Sequence, residues 1–183
     1  NEVGDQLELR VDANGAFSAE EAPKKLEDLE PFNIHSIEQP IQPGQYEEMW
    51  NLCRNTPIPI ALDEELIGPF AFTDKETILS EIQPQYIILK PSLHGGFKGS
   101  EEWIDLAERL GISWWATSAL ESNIGLNAIA QWVLKFDNPL PQGLGTGSLF
   151  TNNIDSPLFV SNGYLSHYTD KGWDLSLFNS KNA

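Results

Sequence analysis

The chain has 183 residues, 40% of them hydrophobic and 21% charged, a globular balance with enough apolar material for a sizeable core. Acidic residues outnumber basic ones 27 to 11, and the formal charge of -16 with no Lys or Arg cluster argues against a nucleic-acid partner. No apolar run nears the roughly 18 residues of a spanning helix, the start NEVGDQLELR lacks a signal-peptide pattern, and a lone Cys53 supports neither a disulfide framework nor a Cys-rich zinc site; no membrane association and a cytoplasmic location are expected.

Short apolar runs alternate with amphipathic ones. LELRVD at 7–12 reads as a strand, and S-A-E-E from Ser18 to Glu21 reads as a capping box opening a helix. IHSIEQ at 34–39 is the next strand, followed by a helix over 45–54, the strand IPIALD at 58–63, and T-D-K-E opening a helix at Thr73. YIILK at 86–90 precedes a helix over 100–110 with Trp103, Leu106, Ala107 and Leu110 on one apolar face. ISWWAT at 112–117, a helix over 124–135 and a short strand PQGLGT at 141–146 complete six βα units, the last incomplete. From about 147 to 183 the βα pattern stops, and a hairpin is expected around Ser161–Tyr164.

Continuously apolar strands separated by helices imply a parallel sheet covered on both faces. Two architectures compete: the open doubly wound sheet and the closed (β/α)₈ TIM-like barrel. The first strand runs into VDANGAF rather than a glycine-rich phosphate loop, which favours the barrel. Six units cannot close eight strands, so residues 1–146 are expected to be an incomplete C-terminal portion of a barrel domain. The start at Asn1 and the unpatterned tail fit the C-terminal part of a longer protein, with 147–183 packing on an N-terminal capping domain.

The strand ends carry the chemistry. LRVDAN ends at Asp12, HSIEQP at Glu38, IALDEE at Asp63, IILKPS at Lys90, ATSALES near Ser118 and PQGLGTG near Gly143, one polar or charged group every 25–28 residues. In a barrel these positions converge on one mouth. Two carboxylates about 4 Å apart repel by about 4 kcal/mol at an effective dielectric near 20, so three together call for a divalent cation between them. An all-oxygen set selects Mg²⁺ ahead of Mn²⁺ and argues against zinc. The plainer alternative is that each acid caps a helix or pairs with a base. Lys90, after an apolar run and before Pro91, could move a proton, stabilise negative charge, or pair with Asp63 or Glu64.

VDANGAF, SIEQP, ALDEE, ILKPS and TSALES, in that order, resemble the enolase superfamily and its muconate-lactonizing subgroup over residues 5 to 150. The resemblance implies Mg²⁺ held by Asp12, Glu38 and Asp63, with Asn14 and Glu64 beside them. It also implies removal of a proton alpha to a carboxylate of a small-molecule substrate, followed by elimination of water. Ser118, Ser122 and the backbone near Gly143 look like contacts to the substrate's distal carboxylate. The family's base is the second Lys of a K-x-K motif on the strand before D-x-N. No such motif occurs here, where the first lysines are Lys24 and Lys25. The chain alone is therefore expected to lack the base and to need the N-terminal part of the protein. Lys90 matches the family's second lysine, which stabilises charge.

Other members racemise or epimerise dipeptides or N-acylamino acids, or cycloisomerise. A non-catalytic fragment is the reading from another class, since incomplete barrels leave strand edges open to pairing; a homo-oligomer is compatible with all of them. His94 in LHGGF could be read as a base or ligand, but a lone loop His is usually solvated; His35 and His167 carry weaker claims, and Trp114 and Trp115 point to opposite sides of their strand as packing groups.

Overall fold

Five times along the chain a short strand gives way to a helix, as the apolar pattern requires. The computed structural model describes residues 7–179, so residues 1–6 of the expected barrel portion and 180–183 of the expected tail lie outside the described residues. The strands are β1 (Leu9–Asp12), β2 (Ile34–Glu38), β3 (Ile60–Leu62), β4 (Tyr86–Leu89) and β5 (Ser113–Ala116), and the helices that follow them are α1 (Ala22–Leu29), α2 (Tyr46–Asn55), α3 (Phe72–Ile82), α4 (Gly96–Leu110) and α5 (Asn123–Val133). The sheet order is the chain order, β1-β2-β3-β4-β5, with parallel pairing from β1 through β4. All of β3 and the last three residues of β4 and β5 are buried, the signature of a parallel sheet covered on both faces.

The chain divides into two units, Asn1–Leu89 with Leu93–Trp114, and Lys90–Ser92 with Trp115–Ala183. In the first, the sheet packs against helices α1 to α4, with Leu26, Met49, Leu79 and Trp103 fully buried. In the second, Trp115 of β5 and Leu126, Ile129 and Trp132 of α5 are buried. Trp114 and Trp115 are 4% and 5% exposed, so both are packing groups as the strand alternation demands.

Several boundaries differ from the sequence pattern. Ser18 and Glu21 do form the reciprocal capping contacts, Ser18 Oγ donating to Glu21 Oε2 at 2.9 Å and Glu21 N–H to Ser18 Oγ at 3.2 Å, but turns intervene and α1 starts only at Ala22. At α3 the expected box is not made: the extended Ala71 takes the cap position and Thr73 lies inside the helix. Helix α4 begins four residues before the expected start, at Gly96, because Gly95 adopts the left-handed conformation that sets up the turn. Its buried face uses Ile104 in place of Leu110, which sits exposed at the last turn before Gly111. The strand expected at 141–146 shrinks to one bridge, Thr117 to Gly143. The hairpin is present as β6 (Leu158–Ser161) and β7 (Tyr164–His167), closed by Asn162 and Gly163 at φ 51° and 80°, the pair of positive values a two-residue hairpin turn favours.

Two polar residues are buried deep in the first unit, one of them against expectation. His94 is 1% exposed rather than solvated, because α4 folds back over the loop that carries it. Lys75 on α3 is equally buried, donating to the Gly99 carbonyl and to Glu102 Oε2, both at 2.9 Å. Cys53 is a third buried group, and burial pushes its thiol up to about 12. Its thiolate fraction at pH 8 is then about 10⁻⁴. A maleimide or disulfide reagent is expected to modify native Cys53 about three orders of magnitude more slowly than free cysteine, and at the normal rate once urea unfolds the protein.

Candidate metal centre

The three candidate carboxylates all lie in the first unit. Asp12 and Glu38 stand in register as the last residues of β1 and β2, and Glu38 is in register with Ala61, two residues before Asp63. The parallel sheet therefore puts all three at the C-terminal ends of adjacent strands. Asp12 is exposed, Glu38 half-buried and Asp63 1% exposed. Asp12 Oδ1 accepts the Asn14 N–H at 2.8 Å, which holds Asn14 at φ 48°, a turn conformation that Asn tolerates. Gly15, next in the turn, passes so close to β2's exit that an added Cβ would lie 3.2 Å from Gln42 Cα. Glu64 is half-buried.

As the side chains stand, no three His, Cys, Asp or Glu groups among the described residues are near enough to hold an ion together. Backbone placement and donor type nonetheless suit a hard divalent cation: three carboxylates on neighbouring strand ends, with no His or Cys in the set. Convergence requires side-chain rotation, and positive charge to offset the mutual repulsion of the acids.

Sequence reasoning missed the residues that organise these ends. Gln39 is fully buried at φ 35°, a backbone conformation costing roughly 1–3 kcal/mol for a non-glycine residue. Its Oε1 accepts the Asp63 N–H at 3.2 Å and the Glu65 N–H at 3.3 Å, while its Nε2 donates to the Ile41 carbonyl at 3.0 Å and to Glu65 Oε2 at 3.1 Å. Glu65 is 5% exposed and accepts the Gly44 N–H at 2.7 Å. Burial pushes the Glu65 carboxyl up, opposed by the hydrogen bonds from Gly44 and Gln39. Both lie inside the motifs at the strand ends, Gln39 in SIEQP and Glu65 in ALDEE, but nothing in the sequence shows that the two side chains meet.

The remaining candidates belong to the second unit. Lys90 is half-buried and directly follows β4, with Pro91 ending the strand. Ser118 is 7% exposed; its hydroxyl donates to Glu121 Oε2 at 2.8 Å and accepts the Leu120 N–H at 2.8 Å. Ser92, two residues after Lys90, donates to Glu121 Oε1 at 2.5 Å. Burial pushes the Glu121 carboxyl up, but hydrogen bonds from Ser92, its own N–H and Ser118 outweigh it and hold the group below the usual carboxylate range. Glu121, which the sequence pattern did not single out, thus ties the segment after Lys90 to the segment after β5.

Ser122 is exposed at the N-cap of α5 and makes no side-chain cap bond; the Asn123 N–H is taken by Asn153 Oδ1 at 2.9 Å. Gly143 donates to the Ala116 carbonyl at 2.8 Å, and its own carbonyl accepts from the Ser118 N–H and Thr117 Oγ1. An added Cβ at Gly143 would fall 2.6 Å from Thr117 Oγ1, so close approach of the two segments requires glycine there.

Residues 1–177 match the family described as Enolase C-terminal domain-like, and the chain belongs to that family. Its strands and helices are an incomplete portion of the family's (β/α)₈ barrel. Among relatives, the chain is 58% identical over 160 residues to an o-succinylbenzoate synthase of Desulfotalea psychrophila, covering 87% of this chain and 43% of the relative. The crystal structure of MenC from the same organism superimposes with a TM-score of 0.85 at 57% identity, over 87% of this chain and 45% of that one. An N-succinylamino acid racemase of Amycolatopsis is 29% identical over 170 residues, 92% of this chain and 45% of the relative. The chain spans rather less than half the length of these relatives.

Proposed function

We propose that the chain is the metal-binding portion of a cytoplasmic o-succinylbenzoate synthase, a dehydratase of menaquinone biosynthesis that removes a proton alpha to a carboxylate and eliminates water from a cyclohexadiene precursor. The observation that carries the reading is the 58% identity to a relative of that name. Asp12, Glu38 and Asp63 would hold Mg²⁺, or Mn²⁺ in its place, with Asn14 fixing the Asp12 turn and Glu64 beside Asp63. A bound Mg²⁺ supplies positive charge that offsets the charge left on the substrate's carboxylate when the alpha proton departs.

Lys90 places an ammonium at the end of a buried strand and stabilises that same developing charge. Ser118 has one proton and gives it to Glu121, so its part in binding the distal carboxylate is to shape the segment ahead of α5. The exposed Ser122 hydroxyl is the group there able to donate directly. Gly143 keeps that segment close to Thr117. The general base comes from residues outside this chain, as does a capping domain on which 147–183 packs, so residues 1–146 form the barrel part.

A second reading, a racemase or epimerase of N-acylamino acids, is favoured by the likeness to the Amycolatopsis racemase. Assay of the intact protein with Mg²⁺ separates the two. Formation of the aromatic dicarboxylate from the cyclohexadiene precursor is expected. Racemisation of N-succinylamino acids with no elimination from that precursor would replace the first reading by the second.

A further inference from the structure

Strand β3 ends at Leu62, and the backbone of Asp63 leaves the strand conformation with φ -127° and ψ -77°. The ladder between β2 and β3 has already finished, its final bond being Gln39 N–H to the Ala61 carbonyl at 2.9 Å. From that point the Gln39 side chain continues the pairing. Its amide oxygen accepts the N–H groups of Asp63 and Glu65, and its amide nitrogen is held by the Ile41 carbonyl and by Glu65. Glu65 in turn is pinned by the Gly44 N–H. Four hydrogen bonds thus clamp the turn bearing Asp63 to the segment that leaves the strand end bearing Glu38, and a fifth, to the Ile41 carbonyl, holds the Gln39 amide in place within the same buried network. Only a side chain with both an acceptor and a donor at its tip can do this, which excludes Glu, Leu and Met at position 39. Gln39 also sits at a positive φ immediately before Pro40, a strained conformation that persists only where the surroundings enforce it.

We infer that Gln39, braced by Glu65, is a positioning residue that fixes the third metal-binding carboxylate, Asp63, relative to the second, Glu38. The inference rests on the metal-centre reading above. It makes the reciprocal exchange informative. In the double variant Gln39→Glu with Glu65→Gln, a carboxylate at 39 still accepts both N–H groups. The amide at 65 donates back to it and accepts from Gly44, which preserves four of the five bonds and leaves one mismatch, a carboxylate oxygen facing the Ile41 carbonyl. Each single variant sets like groups against each other: two carboxylates in Gln39→Glu, two amide donors in Glu65→Gln.

The test is Mn²⁺ binding to the intact protein, followed by electron paramagnetic resonance of free and bound ion, with circular dichroism recorded in parallel. Wild type is expected to bind Mn²⁺ and Asp63→Asn to lose it. Each single variant should bind about 10- to 100-fold more weakly, as loss of groups that orient ligands typically does. The double variant should recover to within a few-fold of wild type. Singles that bind like wild type overturn the inference. So does a folded double variant without recovery, which would reduce the pair to a structural strut, and so does a double variant that does not fold. If a single variant fails to fold while the double folds and binds, the inference stands. Absence of Mn²⁺ binding by wild type, or unchanged binding by Asp63→Asn, instead removes the metal-centre reading itself.

Discussion

Replacing Lys90 with Met in the intact protein is expected to lower turnover by about 10² to 10³-fold, or about 3–4 kcal/mol of barrier, with the fold retained. Ile87, Ile88 and Leu89 are buried, and Lys90 comes directly after them. A cation at the end of such a strand acts where the local dielectric is well below that of water, so its removal costs far more than loss of a surface charge. If its part is to stabilise charge, Lys90→Arg keeps the charge and should lose less than Lys90→Met. Exchange of the alpha proton with solvent deuterium should fall in step with elimination in both variants. If Lys90 instead carried a proton to one face of a racemase substrate, Lys90→Arg would abolish racemisation while exchange with retained configuration continued through a base on the other face. Measuring exchange and product formation on the same samples distinguishes these outcomes, and circular dichroism checks that the variants are folded.

The parts of this fold that obey simple periodicity were legible in the residues. Short apolar strands such as Ile60–Leu62 fit a covered parallel sheet, and an acid at the end of β1 and β2 and just after β3 stands out against that background. What could not be read were features set by groups meeting across long separations. Lys75 looks like any helix lysine until α4 brings the Gly99 carbonyl and Glu102 to it, 24 and 27 residues away. Gln39 is one letter of SIEQP with no role of its own until Glu65 meets it from the next strand's exit. His94 is buried by a helix whose start depends on two glycines at positive φ, which local pattern counts as mere loop. The candidate site shows the same division: Asp12 and Glu38 are placed by register, whereas the hydrogen bonds of Gln39 and Glu65 depend on tertiary contact.

The Gly99→Ala variant shows the force of such contacts, because local propensity and packing give opposite signs. In an exposed helix interior, alanine for glycine stabilises by about 1 kcal/mol. Gly99, however, is buried in α4, and an added Cβ would overlap the His94 carbonyl oxygen and lie 2.9 Å from its carbon. Both obstructing atoms are backbone, so relief requires the first turn of α4 to move away from the loop after β4. Overpacking of this kind costs typically 1–3 kcal/mol, occasionally more. Movement would also draw the Gly99 carbonyl from Lys75 Nζ, 2.9 Å away, and leave a buried ammonium with Glu102 as its remaining hydrogen-bonded partner. A net loss of about 3 kcal/mol is therefore expected, read as a lower urea midpoint at unchanged slope. Because part of that loss passes through Lys75, combining Gly99→Ala with Lys75→Met should cost less than the two variants measured separately would predict. Strict additivity, or a stabilised Gly99→Ala protein, would overturn this account of the contact between α4 and the His94 carbonyl.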